Sequence, residues 1–171
     1  MDAPLTAVLR LIMLETQQRF VSRAGVWVSS SRQESNDIGD IEHLLEALET
    51  AIEQRDSTQL GGIYSENAVA LFAGAGPRVR GRSEIIQTWN RHLSRWSRIE
   101  LARRDTVIRI RGEVAWGTFL WGGSGWAGEQ KYRVEAERWS IVCVRESGEW
   151  KFEQTHTSLP YTDWESLRTD A

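Results

Sequence analysis

The chain has 171 residues, of which 40% are hydrophobic and 26% are charged, a composition typical of one globular domain. Its 21 basic and 24 acidic residues are interspersed and give a net charge of −3, which argues against a nucleic-acid partner because phosphate binding needs a clustered basic surface. No run approaches the roughly 20 apolar residues of a membrane span, and the single cysteine, Cys143, allows no internal disulfide. We therefore expect a cytoplasmic protein without a membrane partner.

The first third of the chain has helical periodicity. Residues 1–35 are predicted to form an appended arm, because apolar residues at helical spacing are followed by a Ser-rich polar connector. The domain proper is predicted over residues 36–160, with 161–171 as a C-terminal tail. Asp37 is the expected N-cap of a long helix, whose apolar stripe consists of Ile38, Ile41, Leu44, Leu45, Leu48 and Ile52.

Shorter elements follow that helix. Tyr64 precedes a short apolar strand at Val69–Phe72, and a glycine-rich turn follows the strand. These glycines lack the strand-then-helix context of a phosphate-binding loop. Ser83 is predicted to cap a second helix, with a buried stripe of Ile85, Ile86, Trp89, Leu93 and Trp96.

From residue 99 onward the periodicity changes from 3.6 to 2, which predicts strands. Four long strands are expected, at Ile99–Arg111, Glu113–Trp126, Lys131–Arg145 and Glu149–Ser158. Short links between consecutive strands favour an antiparallel meander. Helices first and strands after indicate an α+β fold with the helices packed on one face of the sheet.

The basic residues of this region are concentrated in one run: Arg91, Arg95, Arg98, Arg103 and Arg104. We interpret the run as a helix C-terminus that complements the helix dipole, followed by a solvated strand face.

The last strand carries a histidine among aromatic residues. Side chains alternate between the two faces of a regular strand. One face of this strand carries Trp150, Phe152, Gln154 and His156, and the other carries Lys151, Glu153, Thr155 and Thr157. We therefore predict that the imidazole of His156 points toward the covered face of the sheet, where it could act as acid or base near neutral pH. A histidine that only donates to a neighbouring carbonyl is the alternative.

The order of these segments resembles the nuclear transport factor 2-like superfamily, in particular its SnoaL-like and ketosteroid-isomerase-like branch. The similarity extends over about residues 37–160 and rests on Y-S-E-N-A-V at 64–69, P-R-V-R-G-R-S-E-I at 77–85, E-V-A-W at 113–116 and S-G-E-W-K-F-E-Q-T-H-T-S at 147–158. The pattern is also similar to the association domain of calcium/calmodulin-dependent kinases, which assembles protomers and is not catalytic.

The resemblance implies a cone, in which a curved antiparallel sheet wraps around the helices and leaves an internal pocket. It also implies homodimers built through the outer face of the sheet. Trp116 and Trp121 are five residues apart, so an unbulged strand places them on opposite faces and suggests that both faces are covered. A bulge that brings both inward is the alternative.

Candidate site residues follow from this picture. His156 and Tyr64 are the predicted catalytic pair, with the Tyr64 hydroxyl stabilising a developing oxyanion. A tyrosine at this place is also compatible with a core role. The predicted ligand contacts are Phe72, Trp89, Trp116, Trp121, Trp139 and Arg138.

The third long strand leaves one question open, because Glu135 and Glu137 face opposite to Arg138. An inward Arg138 could bind a carboxylate, an inward glutamate could be a base with a raised pKa, and either could form an ion pair at a solvated or interface surface. We expect no cofactor and no metal, because His43, His92 and His156 are scattered and lack histidine or cysteine partners at ligand spacing.

Two functions remain open at this level. The first is a SnoaL-like protein that binds a small hydrophobic or aromatic molecule and catalyses cofactor-free proton transfer: isomerisation, cyclisation, dehydration or hydrolysis. The second is a non-catalytic ligand-binding or dimerisation module similar to the kinase association domain. A fold alone does not decide between them.

Overall fold

The structure is a computed structural model that describes residues 32–73 and 78–160. Most of the predicted arm and the whole predicted tail lie outside these residues. In chain order, the elements are helix α1 (Arg32–Glu53), a 3-10 turn (Ser57–Gly62), β1 (Tyr64–Leu71), β2 (Val79–Arg80), α2 (Arg82–Leu93), β3 (Arg98–Arg111), β4 (Val114–Ala127), β5 (Gln130–Glu146) and β6 (Glu149–Ser158).

The strands form one six-stranded sheet in the order β2-β1-β6-β5-β4-β3. The predicted antiparallel meander is confirmed by the pairing of β3 with β4, β4 with β5, and β5 with β6. The expectation of a wholly antiparallel sheet is wrong at one place, because β1 pairs parallel to β6. The two strands are far apart in the chain, so no hairpin dictates their relative direction.

Helix α1 covers one face of the sheet with its predicted stripe, since Ile41, Leu44, Leu45, Leu48 and Ile52 are buried. It begins at Arg32, so the prediction that Asp37 caps it is wrong. Asp37 lies inside the helix and is only 5% exposed. Its carboxylate instead forms an ion pair with Arg145 of β5, which fastens this end of the helix to the sheet.

A second ion cluster fastens the middle of α1 to β3. Arg103 donates from Nε to Glu49 at 2.6 Å and from a terminal nitrogen to Glu42 at 2.7 Å. The same guanidinium donates to the hydroxyl of Thr106 at 2.9 Å. All of the partners are partly or fully buried, so the cluster fixes the helix against the concave face of the sheet.

The sheet is interrupted by β-bulges, which bend strands and change which residues face inward. In β3 the register with β4 shifts between Arg104 and Val107, and Asp105 has a φ of 55°. In β5 it shifts between Val134 and Glu137. Bulges of this kind curve a sheet, and the predicted α+β fold with a curved sheet is confirmed.

A third bulge, in β6, reverses the alternation on which the His156 prediction rests. Val142 of β5 pairs with Gln154, whereas the adjacent Cys143 pairs with Phe152, which leaves Glu153 as the extra residue. Trp150 and Phe152 are buried before the bulge, and Thr155 and Thr157 are buried after it. The side chain of His156 is therefore exposed on the outer face, and the prediction that it points toward the covered face is wrong.

Within the described residues, no helix has the length and apolarity needed to cross a membrane.

Candidate ligand-binding cavity

A cavity of about 570 Å³ lies between α2 and the concave face of the long strands. This volume is in the range of sites for small organic molecules. Aromatic side chains make up much of its wall: Phe72, Trp89, Trp96, Trp121, Tyr132 and Trp139.

Three tryptophans form the inner wall. The Trp89 and Trp139 rings are stacked with centroids 6.3 Å apart, and Trp121 lies tilted against Trp139 at 4.4 Å. The rings of Phe72 and Trp89 are nearly perpendicular, with centroids 5.2 Å apart. Mutual ring contacts of this kind restrict the movement of each ring, so contacts within the protein stabilise the wall.

The ion cluster of α1 orients one of these rings. The indole Nε1 of Trp121 donates to Oε1 of Glu49 at 3.1 Å, and the same oxygen accepts from Arg103. Because a buried indole N–H needs an acceptor, this bond fixes the ring plane of Trp121. The contact between helix and sheet thus positions part of the cavity wall.

One carboxylate, that of Glu137, lies against the tryptophan wall. Trp139 donates from Nε1 to Oε2 of Glu137 at 2.8 Å. Burial raises the pKa of Glu137 above its usual 4.5, against the opposing effect of hydrogen bonds from Trp139 and Thr157. Among the described residues that line the cavity, Glu137 is the only acidic one.

The hydroxyl of Thr157 is oriented toward this carboxylate. Its Oγ1 accepts from the backbone N–H of Ala73 at 2.7 Å. That leaves the hydroxyl proton free to be donated to Glu137. Thr157 is itself buried, so both donors to Glu137 are fixed by the core.

His92 of α2 lies at the more exposed end of the cavity. Its ring meets Trp89 with a centroid distance of 5.9 Å and Trp96 with one of 6.0 Å. Burial and the nearby charge of Arg95 lower the pKa of His92 below 6.5. The imidazole is therefore neutral at neutral pH, with one nitrogen able to donate and the other able to accept.

A glycine-rich stretch of β4 forms the opposite wall. A Cβ at Gly125 would lie 2.7 Å from the ring of Trp96, which packs directly against the strand. Trp96 also contacts the Tyr132 ring at 5.5 Å. The missing side chain at Gly125 thus lets an aromatic ring close this side of the cavity.

Four of the predicted ligand contacts line the cavity: Phe72, Trp89, Trp121 and Trp139. Trp116 and Arg138 do not, and their predicted placement is wrong. Both are exposed on the outer face, because they alternate with the inward-facing Gly117 and Trp139. Trp116 and Trp121 do lie on opposite faces, as their spacing of five predicts.

The predicted catalytic pair is not in the cavity. His156 lies on the outer face. Tyr64 is fully buried behind the wall, where its hydroxyl contacts Trp89 Nε1 at 3.4 Å and Thr155 Oγ1 at 3.3 Å. Burial raises the pKa of Tyr64 above 10.0. Its position fits the alternative of a core tyrosine with a satisfied hydroxyl.

From the sequence, an inward-facing glutamate such as Glu137 was one of three alternatives for the third long strand, and His92 was given no role in the site. A signal existed for each. Glu137 lies two residues before Trp139 on a strand, so the two share a face. His92 lies three residues after Trp89 on a helix, so it lies on the same side as that ring.

The fold and the cavity together define a class of protein: an α+β cone with an internal aromatic site. A family model for the SnoaL-like domain matches residues 41–162. The chain belongs to the SnoaL-like domain family. No protein with curated annotation matches it.

Solved structures with the same fold include a candidate dehydratase of the NTF2-like (nuclear transport factor 2-like) family from Streptomyces avermitilis, with 17% identity and a TM-score of 0.67 over 75% of this chain and 99% of that one. A candidate scytalone dehydratase from Novosphingobium aromaticivorans has 13% identity and a TM-score of 0.67, covering 76% of this chain and 89% of that one. A candidate calcium/calmodulin-dependent kinase II association domain from Thiobacillus denitrificans has 16% identity and a TM-score of 0.60. The match covers 70% of this chain and 94% of that one. At these identities the similarity shows the NTF2-like fold alone.

Proposed function

We propose that this protein binds a small hydrophobic or aromatic molecule in the cavity and that Glu137 exchanges a proton with it. The observation that carries the proposal is the carboxyl group of Glu137, held against Trp139 with its pKa raised by burial. A carboxyl whose pKa lies closer to neutral pH is a better acid-base group than a solvated one, because it can be populated in both protonation states.

The chemistry this arrangement supports is a proton shuttle. The ionised Glu137 takes a proton from an acidic C–H of the bound molecule, and the resulting carboxylic acid returns that proton to another atom. Return to carbon is an isomerisation, and return to a departing hydroxyl is a dehydration that releases water. One carboxyl group balances either reaction, and two dehydratase-named proteins share the fold.

Two fixed donors support Glu137 in this role. The N–H of Trp139 and the hydroxyl of Thr157 stabilise the ionised form and keep the carboxylate in one orientation. The neutral imidazole of His92 offers a further donor near the exposed end, where a carbonyl oxygen of a ligand could accept.

A probe reaction tests the proposal without knowledge of the natural substrate. In 5-nitrobenzisoxazole, a base removes one C–H proton while the N–O bond breaks, and the product is a coloured phenolate. We expect this elimination to be faster with the protein than in buffer, and to fall about 100-fold in Glu137→Gln, the loss typical of removing a general base.

The matched control is Glu135→Gln. Glu135 lies on the same strand, but its side chain is 77% exposed and pairs with Arg133. Equal rates for Glu137→Gln and the wild type would refute the proton-transfer role. If the rates were equal and the tryptophan fluorescence nevertheless changed when neutral 2-naphthamide was added, the protein would be a non-catalytic ligand binder. That is the second candidate function.

We also propose that the protein forms a homodimer through the outer face of the sheet. On β4, Trp116 is 44% exposed and Val114 is 42% exposed. Val142 of the neighbouring strand β5 pairs with Trp116. These residues form a small exposed apolar patch with Arg109 and Arg111 of β3 on one side, and an apolar centre with a polar rim is a common subunit contact. Sedimentation velocity should show a dimer for the wild type and a monomer for Trp116→Glu. The control Gln87→Glu, on the exposed surface of α2, should remain a dimer. A monomeric wild type would refute the proposal.

A further inference from the structure

The basic run of the sequence separates into two groups in the structure. Arg98 pairs with Glu100, Arg103 binds Glu42 and Glu49, and Arg104 donates to the backbone carbonyl of Glu135 at 2.8 Å. These arginines have structural or surface partners. Arg91 and Arg95 instead line the cavity.

Neither cavity arginine is neutralised by an acidic side chain within the described residues. Arg91 donates to the hydroxyl of Thr88 at 2.8 Å, which uses one of its five N–H groups. Arg95 has no side-chain ion pair there.

Arg91 lies in the last turn of α2, and Arg95 follows the end of that helix. Both arginines are exposed, whereas Glu137 and the tryptophans of the inner wall are more buried. The cavity is thus positively charged at its mouth and aromatic inside. Among the lining residues that the structure describes, Glu137 is the single acidic one, and burial raises the pKa of its carboxyl, which reduces its negative charge at a given pH. Such a distribution favours a molecule with an apolar body and an anionic end.

The mouth can recognise an anion in a specific way. A guanidinium group presents parallel N–H donors that match the oxygens of a carboxylate or a phosphate. Ring-lined walls accept the aromatic body through stacking and burial of apolar surface.

From this arrangement we infer that the ligand of the cavity is an organic anion, with an aromatic body against Trp89, Trp121 and Trp139 and a carboxylate or phosphate group held by Arg91 and Arg95. The inference rests on the proposed function, since it names the class of molecule that the same cavity binds. It adds a specificity element to that site, separate from the proton-transfer group.

Isothermal titration with three probes of one shape tests it: 2-naphthoate, 2-naphthyl phosphate and neutral 2-naphthamide. We expect at least one anion to bind about 10-fold more tightly than the amide, because charge-assisted hydrogen bonds are stronger than those between neutral groups. The preferred anion identifies the recognised group. The double variant Arg91→Gln/Arg95→Gln should bind all three probes with the affinity of the amide.

The matched control is Arg98→Gln, which removes a charge from the same run but not from the cavity lining. It should keep the preference for the anion. The inference would be overturned if the wild type bound all three probes equally well, or if the double variant still preferred the anion. Either result would leave the proposal of small-molecule binding intact. Failure of every probe to bind the folded protein would contradict the proposed function itself, and the inference with it.

Discussion

Glu137 is placed where its protonation should affect the stability of the protein. Burial raises its pKa in the folded state, and in the unfolded chain the pKa returns to near 4.5. Between these two values the folded protein binds more protons than the unfolded chain, so the free energy of unfolding falls as pH rises through this window. The loss is about 1.4 kcal/mol for each pH unit by which folding raises the pKa.

We therefore predict that Glu137→Gln has a smaller loss of melting temperature than the wild type when the pH is raised from below 4.5 to neutral. A glutamine can still accept from Trp139 but does not ionise. Thermal unfolding monitored by circular dichroism at a series of pH values measures the effect, with the exposed Glu135→Gln as control. Identical pH profiles for Glu137→Gln and the wild type would contradict the assignment.

His156 provides a second residue-scale prediction. Its side chain lies on the outer face of the sheet, away from the cavity lining. We expect His156→Ala to change the affinity for naphthyl probes less than about 2-fold, within the scatter expected of a surface substitution. A loss of 10-fold or more would mean that this ring reaches the ligand.

At the scale of elements, close packing of strands depends on glycines as much as on large side chains. A Cβ at Gly117 would lie 2.5 Å from the backbone carbonyl oxygen of Val107 on the neighbouring strand. That oxygen belongs to the β3 ladder next to its bulge and cannot move away without breaking strand pairing.

Gly117→Ala should therefore lower the free energy of unfolding by about 2 kcal/mol, a typical cost of overpacking. Urea unfolding measures it. Gly39→Ala in α1 is the opposite control, because no atom lies within 4 Å of its added Cβ. There the better helix propensity of alanine should raise the free energy of unfolding by up to about 1 kcal/mol. Equal effects of the two substitutions would show that the strand contact is unimportant.

Bulges explain which predictions from the sequence held at this scale. Residue periodicity was sufficient to locate both helices of the described region and all four long strands, because each has a covered face. A bulge depends on pairing with another strand, which periodicity does not contain. Glu153 is the extra residue in β6 and accepts from Ser65 of β1, a residue distant in sequence. His156, beyond that bulge, was therefore assigned to the wrong face.

In β4 and β5 the relative orientations of side chains follow regular alternation wherever no bulge lies between the residues compared, although Trp116 and Arg138 were wrongly expected to contact the ligand. Trp116 and Trp121 lie on one unbroken stretch of β4, so their opposite orientations followed from their spacing. Glu137 is close enough to Trp139 that no bulge separates them. The buried state of Glu137, and hence its pKa, required the three-dimensional arrangement of α2 and β6 around it.

At the scale of the whole molecule, the order of helices and strands was sufficient to predict the α+β class and the family, because the meander and its covering helices follow from chain order. The location of the chemistry was not predictable in the same way. The cavity is built from α2, β4, β5 and β6 together, and its charged mouth and aromatic interior come from residues far apart in sequence.

The most direct test of the central claim is a carbon-13 NMR titration of the glutamate side-chain carboxyl groups. The account predicts one carboxyl resonance with a pKa above 4.5, absent from Glu137→Gln and displaced when a naphthyl probe is added. If every glutamate titrates at or below that value and none responds to the probe, Glu137 is not the proton-transfer group of a ligand site.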